Sequence, residues 1–152
     1  MPFVYVLRHA KAEKGGRTDH ARKLSEKGES QALALSTWLV QSGITFDQVI
    51  VSDSARTMET LELLELECQI NVAMNAYNAS AQTLGELIRE SGAQESVLVI
   101  AHNPGVTELC QPAGHYPELQ TCGLVILECP TSLSEFSPEM CDVVGNYRPE
   151  VD

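Results

Sequence analysis

The chain has 152 residues, 43% hydrophobic and 20% charged, with a formal net charge of −11 at pH 7. That length suits one core, so a single domain over residues 1–152 is expected. No apolar stretch approaches the roughly 20 residues that span a bilayer, and the start, MPFVYVLRHA, has no basic region ahead of its short apolar run, which argues against a membrane span and a cleaved signal peptide.

Charge is distributed unevenly. Residues 1–56 hold eight of the ten Lys and Arg but only six of the 21 Asp and Glu. A nucleic-acid binder wants a broad basic face, which this chain lacks. A few cations gathered in one pocket can still attract a small anion to an acidic protein. The five cysteines are odd in number and widely spaced, with no C-x-x-C. They read as free thiols of a protein in a reducing cytoplasm. Clustered Cys and His ligands for zinc are absent.

In chain order, Phe3–Leu7 is aromatic and β-branched and predicts a strand. Ser25 is placed to cap a helix through Gln41, with Ala32, Leu35 and Leu39 on one stripe and Gly43 past its end. Val49–Ser52 predicts a short strand, and Ser54 a cap for a second helix to Leu66. Ile70–Ala73 is a weak strand candidate. Ser80 begins a third helix, with Leu84, Leu87, Ile88 and Ser91 on one stripe and Gly92 as its stop. VLVIA, Val97–Ala101, is a continuous apolar run, as in a strand buried on both faces. Pro104 is placed as the first residue of a further helix. Gly123–Glu128 and Val143–Tyr147 complete the strands, and Pro130–Pro138 is the most loop-like segment.

Alternating strands and helices with short connections predict a three-layer α/β/α sandwich around a mainly parallel sheet. Ligands of such sheets bind beyond the carboxyl ends of the strands. Arg8 and His9 follow the first strand, Ser52 ends the second with Arg56 just after it, and His102 and Asn103 follow VLVIA. Alone, Arg8-His9 fits a structural ion pair and His102 a helix cap. Together they place two arginines and two histidines on one sheet edge. His20 and His115 lie in loop-like stretches and are expected to be solvated surface residues.

Arginine presents a charged, planar fork of donors matched to phosphate oxygens. A neutral imidazole can attack phosphorus and form a covalent intermediate, while cations around the equatorial oxygens stabilise the transition state. Neither a G-x-S-x-G serine elbow nor a Gly-rich G-x-x-x-x-G-K loop competes with this reading.

These residues carry a resemblance. LRHAKAE resembles the Arg-His-Gly signature of the histidine phosphatase superfamily, whose fold is phosphoglycerate mutase-like. VSDSARTMET resembles its S-x-x-x-R-x-x-x-T segment, with Ser52, Arg56 and Thr60 in register, and VLVIAHNPG resembles its second-histidine segment. ARKLSEKGESQA, AYNAS and NYRP look like the SixA-type phosphohistidine phosphatases. The resemblance implies that His9 is the nucleophile and that Arg8, Arg56 and His102 hold the phosphoryl oxygens. It also implies that Arg22 lies near the phosphate, that Asn103 shapes the loop around His102, and that no metal or organic cofactor is used. Ala10 departs from the usual Gly. If a small residue is needed there for the backbone to approach phosphate, a methyl is a modest change. The stretch after His102 is interrupted by Pro112 and Gly114, which predicts a truncated helix and a remodelled pocket rim.

Larger members of the superfamily carry a carboxylate between the second and third core strands that protonates a leaving alcohol. The corresponding stretch here, Ala73–Ser80, has no Asp or Glu, and Glu86 and Glu90 on the next helix are expected to face solvent. A general acid is worth about 10²–10⁴-fold. It matters for an alkoxide, whose conjugate acid approaches water's ~15.7, and little for an imidazole, with a pKa of about 6.5. Tyr77 or a water remains open as a donor. The expected function is therefore dephosphorylation of histidine-phosphorylated proteins, such as phosphotransfer domains, by a cytoplasmic monomer. A general phosphomonoesterase and a non-catalytic phosphate-binding module are the alternatives. Nucleic-acid and membrane partners are not expected.

Overall fold

The structure, a computed structural model, describes residues 1–150. Six strands form one sheet: β1 (Phe3–Arg8), β2 (Gln48–Ser52), β3 (Gln69–Ala73), β4 (Ser96–Ala101), β5 (Leu124–Glu128) and β6 (Asp142–Tyr147). Their spatial order is β3-β2-β4-β1-β5-β6. The pairings β3–β2, β2–β4 and β4–β1 are parallel, whereas β5 runs antiparallel to β1 and to β6. The sheet is therefore mixed, with its parallel part at β3 through β1.

Four helices connect the strands: α1 (Glu26–Gln41), α2 (Ala55–Leu64), α3 (Ala81–Glu90) and α4 (Gly105–Cys110). Ser25, Ser54 and Ser80 cap the first three, each side chain accepting from a backbone N–H in the first turn. Gly43 and Gly92, both at positive φ, carry the chain out of α1 and α3. Helix α2 stops two residues short of the expected Leu66. Glu65 turns left-handed, and the chain uses the next few residues to bring Gln69 back beside Gln48. Pro104 sits at the N-cap of α4, one position earlier than expected, and α4 lasts only six residues before a tight turn at Gln111–Ala113.

Alternation along the strands divides the core in two. Val4, Val6, Val97 and Val99 pack against Leu84 and Ile88 of α3 and Val106 and Leu109 of α4. Tyr5, Leu7, Leu98 and Ile100 pack against Ala32, Leu35 and Leu39 of α1 and Leu61 and Leu64 of α2. The three layers expected from the sequence are thus present. Pro130–Pro138 lies outside the strands and the longer helices, as its loop-like composition suggested, but it is anchored in the core. Leu133 and Phe136 are buried in the α3 side of the core, and the Arg89 guanidinium donates to the Phe136 carbonyl at 3.0 Å. None of the cysteines is in a disulfide. Four are buried, and the sulfurs of Cys129 and Cys141 lie 3.1 Å apart.

Candidate active site

The three central strands end side by side, and their last residues form one pocket. Arg8 ends β1, and the His9 N–H bonds the Ala101 carbonyl of neighbouring β4 at 3.2 Å. Ser52 ends β2, Arg56 lies in the first turn of α2, and His102 follows β4. Arg8, His9, Arg22, Arg56, His102 and Asn103 all line a cavity of about 430 Å³. Every residue assigned to catalysis or phosphate binding from the sequence is brought to it.

His9 is buried, and its Nδ1 lies 2.7 Å from the Ala10 carbonyl. A carbonyl can only accept, so Nδ1 carries the proton and Nε2 keeps its lone pair. That nitrogen faces the Arg56 Nε–H at 3.3 Å. Burial, and then the charges of Arg56, Arg8 and Arg22, push the His9 pKa down to about 4, overriding the opposing bond to Ala10. The imidazole is therefore neutral near pH 7. The Ala10 N–H is taken by the Thr60 hydroxyl at 3.0 Å, and its methyl is fully buried in the α1 side of the core. The small side chain at position 10 thus answers to core packing, while its backbone is tied to Thr60 and His9 rather than turned toward a phosphate.

His102 lies with its ring 5.3 Å from that of His9, and its Nε2 is 2.9 Å from the Ser52 hydroxyl. Burial, and then the proximity of His9 and Arg56, lower its pKa to about 3. Its Nδ1 is buried without a partner, as is Nε of Arg8. The Arg8 head is otherwise held by the Leu119 carbonyl at 3.1 Å. Asn103 shapes this side as expected: its amide donates to the same carbonyl at 2.9 Å, and its oxygen accepts from Thr107 at 2.6 Å. Unsatisfied buried donors are costly, so two such nitrogens lining one cationic pocket fit an anion of several oxygens.

At the mouth stands Asp19, which the sequence reading missed. Its carbonyl accepts from Arg56 Nη1 at 2.8 Å, and its carboxylate accepts from Arg56 Nη2 at 3.1 Å and Arg22 Nε at 3.0 Å. The Tyr77 hydroxyl donates to the same carboxylate, and the Tyr77 ring lies 5.8 Å from the Arg56 guanidinium carbon. The Tyr77 bond, followed by the arginines, holds the Asp19 pKa at about 2, and the same bond raises that of Tyr77. Arg22 also donates to the Glu13 carbonyl at 2.9 Å.

His20 is not the solvated residue expected from its loop. It pairs with Asp53 at 2.9 Å and packs edge-on against Tyr77 with ring centres 4.9 Å apart. His115, also expected to be solvated, is half-buried with an unpartnered Nδ1 and does not line the pocket. Glu86 and Glu90 are exposed, as expected. Among the described residues, no three His, Cys, Asp or Glu gather as a metal site, and no helix is long and apolar enough to cross a membrane.

Comparison with known proteins bears on this arrangement. A family profile described as the histidine phosphatase superfamily (branch 1) matches residues 4–77. A protein of Haemophilus influenzae named as a phosphohistidine phosphatase SixA homolog is 29% identical over 121 residues, which cover 70% of this chain and 73% of that one. An uncharacterized protein of Mycobacterium tuberculosis is 30% identical over 105 residues, covering 68% of this chain and 66% of its own length. Among solved structures, one from Nakamurella multipartitia, provisionally named a phosphohistidine phosphatase SixA, superposes with a TM-score of 0.89 at 20% identity, covering 99% of this chain and 97% of that one. A protein histidine phosphatase SixA complexed with tungstate gives 0.80 at 20% identity, with 95% of each chain covered. At such identities the structural likeness speaks for the fold.

Proposed function

Because this chain belongs to the histidine phosphatase superfamily, we propose that it is a single-domain phosphohistidine phosphatase that acts on histidine-phosphorylated proteins through a phosphorylated His9. The observation that carries this reading is the state of His9. Its proton is fixed on Nδ1 by the Ala10 carbonyl, and its free Nε2 faces a pocket of cations.

The chemistry follows from that tautomer. Nε2 attacks phosphorus as the bond to the leaving group breaks, and Nδ1–H keeps its bond to Ala10. The phosphorylated ring is then cationic, which makes it a good leaving group in turn. Water displaces it, the phosphorus–Nε2 electron pair returns to the ring, and the water proton leaves with phosphate and solvent. Arg56 and the free Nε of Arg8 hold the equatorial oxygens, and Arg22 adds charge at the rim. The Ser52 hydroxyl is placed to donate to Nε2 of His102. That leaves a proton on Nδ1, the unpartnered atom, to bind a third oxygen. Since the arginines supply the positive charge, the reading needs no metal.

The leaving group decides the substrate class. Asp19 is the carboxylate that lines the pocket among the described residues, Tyr77 bonds to it, and neither is a ready acid. Asp19 is ionised well below neutral pH, and the Tyr77 proton is committed to it. An alkoxide would leave without the proton it needs, whereas a protonated imidazole leaves unaided. The absence of a long helix after His102 also leaves the mouth open to a side chain carried on another protein. A phosphotransfer domain in the cytoplasm is the partner we favour, met by a monomer of this chain.

The test is a paired rate comparison without metal, using a histidine-phosphorylated carrier protein and an alkyl phosphate monoester, with His9→Ala as control. Fast release from the carrier alone, lost in the variant, is expected. Comparable release from both substrates would favour a general phosphomonoesterase. Binding without release from either would leave a phosphate-binding module.

A further inference from the structure

Asp19 has no role in the chemistry just described, yet it is the best-connected carboxylate of the site. It stands at the mouth, its side chain half exposed, on the same guanidinium that faces the nucleophile. Three donors reach its two oxygens: Arg22 Nε on Oδ1, Arg56 Nη2 on Oδ2, and Tyr77 O–H on Oδ2. A carboxylate has about four lone-pair positions, so one on Oδ1 remains open toward solvent. The groups facing it are Arg22, Arg56 and Tyr77, which together keep it ionised. It can accept a hydrogen bond but has no proton to give.

An in-line displacement by His9 Nε2 puts the leaving group on the far side of phosphorus, toward the mouth. We propose that Asp19 is the specificity-determining residue for the leaving group: its carboxylate accepts the N–H of a substrate imidazolium and so selects phosphorylated imidazole over phosphate esters, which present no cationic N–H there. This rests on the phosphohistidine reading above and deepens it.

The step balances without proton transfer. The substrate ring carries phosphorus on one nitrogen and a proton on the other. As the bond from phosphorus to His9 Nε2 forms, the old phosphorus–nitrogen bond breaks and its electron pair stays on the substrate nitrogen. The ring departs as neutral imidazole, still donating its N–H to Asp19. A fixed carboxylate stabilises the cationic ring before the step, which keeps the substrate in the form that can leave. It repels an alkoxide or phenolate at the same place.

The experiment compares wild type, Asp19→Asn and Asp19→Glu on a phosphohistidine peptide and on p-nitrophenyl phosphate. Both substrates pass through the same His9 intermediate and the same arginines, but the nitrophenolate leaves without a proton. Loss of Arg56 positioning would lower kcat/KM for both alike. Loss of imidazolium recognition in Asp19→Asn lowers the ratio of phosphohistidine to p-nitrophenyl phosphate kcat/KM by about 10- to 100-fold, the size of one hydrogen bond between charged groups. Asp19→Glu, which restores a carboxylate, recovers part of that ratio. The alkaline limb of kcat, which reports the bound state, shifts down in Asp19→Asn for the phosphohistidine peptide. A ratio unchanged in Asp19→Asn, with wild type cleaving the peptide well, overturns the assignment of Asp19 and leaves the phosphohistidine reading standing. A wild-type enzyme that cleaves only the nitrophenyl ester overturns both.

Discussion

Replacing Thr60 by Val tests how His9 is held. Thr60 lies fully buried on α2, and its hydroxyl accepts from the Ala10 N–H at 3.0 Å while donating to the Arg56 carbonyl at 2.7 Å. The Ala10 carbonyl in turn accepts from His9 Nδ1–H at 2.7 Å. One hydroxyl therefore ties the end of β1 to the helix that carries Arg56. Valine keeps the shape but offers the Ala10 N–H a methyl in place of an acceptor. A buried donor left unsatisfied costs about 1–3 kcal/mol. At about 2–4 °C per kcal/mol for a chain of this size, Tm should fall by roughly 2–12 °C. The carbonyl of Ala10 moves with its N–H, so the His9 tautomer loosens and kcat falls. Thr60→Ser keeps the hydroxyl and should remain close to wild type in both respects. Thermal unfolding and single-turnover phosphoenzyme formation read the two effects. A Thr60→Val protein with wild-type Tm and wild-type rate, or a Thr60→Ser protein as damaged as Thr60→Val, would refute this role of the Thr60 hydroxyl.

The remaining predictions concern pH and packing. Burial and the neighbouring arginines hold His9 at about 4 and His102 at about 3, against about 6.5 in an unfolded chain. As pH falls below about 6.5 the unfolded state takes up these protons first, so stability present at neutral pH declines by up to about 1.4 kcal/mol per pH unit for each histidine. Denaturant melts from neutral pH down to that of His9 should show this slope, and His9→Gln should remove its share; equal slopes in both proteins would contradict it. Gly28 of α1 lies against the pocket loop, and an added Cβ would fall 1.9 Å from the Lys11 carbonyl. Backbone cannot rotate away as a side chain can, so Gly28→Ala should cost about 1–3 kcal/mol or more. It should also weaken inhibition by inorganic phosphate, since Lys11 and Ala12 line the cavity. Unchanged inhibition would mean that the loop yields without disturbing the site.

The principal strands and helices were legible because their apolar patterns match one period each. The runs in β1 and β4 are buried on both faces, and three serines stand at helix starts where a cap is needed. Arg8, His9, Arg56 and His102 were placed together from the sequence because strand ends on a parallel sheet share an edge. Asp19 was not, because its importance comes from Arg56 and Tyr77, which lie 37 and 58 residues away in sequence. Its segment, TDHARK, is polar and aperiodic, and the one local clue was its spacing of three from Arg22. His20 was misjudged for the same reason, its partners Asp53 and Tyr77 belonging to other segments. Pro130–Pro138 read as loop-like because its polar residues outnumber Leu133 and Phe136, although those two decide where it lies.

The position of β4 between β1 and β2 bears on how the molecule is made. Among the described residues, strand β1 pairs with β4 and β5 alone, and β2 with β3 and β4 alone. A growing chain that has emerged only as far as α3 therefore holds His9 on the unpartnered β1 and Arg56 beside the β2–β3 pair, with no strand between them to fix their separation. The enzyme should acquire activity late and abruptly, when residues near 100 insert and zip the two halves together. Until then both flanks of the gap present open strand edges, the kind of surface that recruits other chains. Synthesis rate across the α3–β4 stretch, rather than local stability at the pocket, should then govern how much of the newly made protein becomes active.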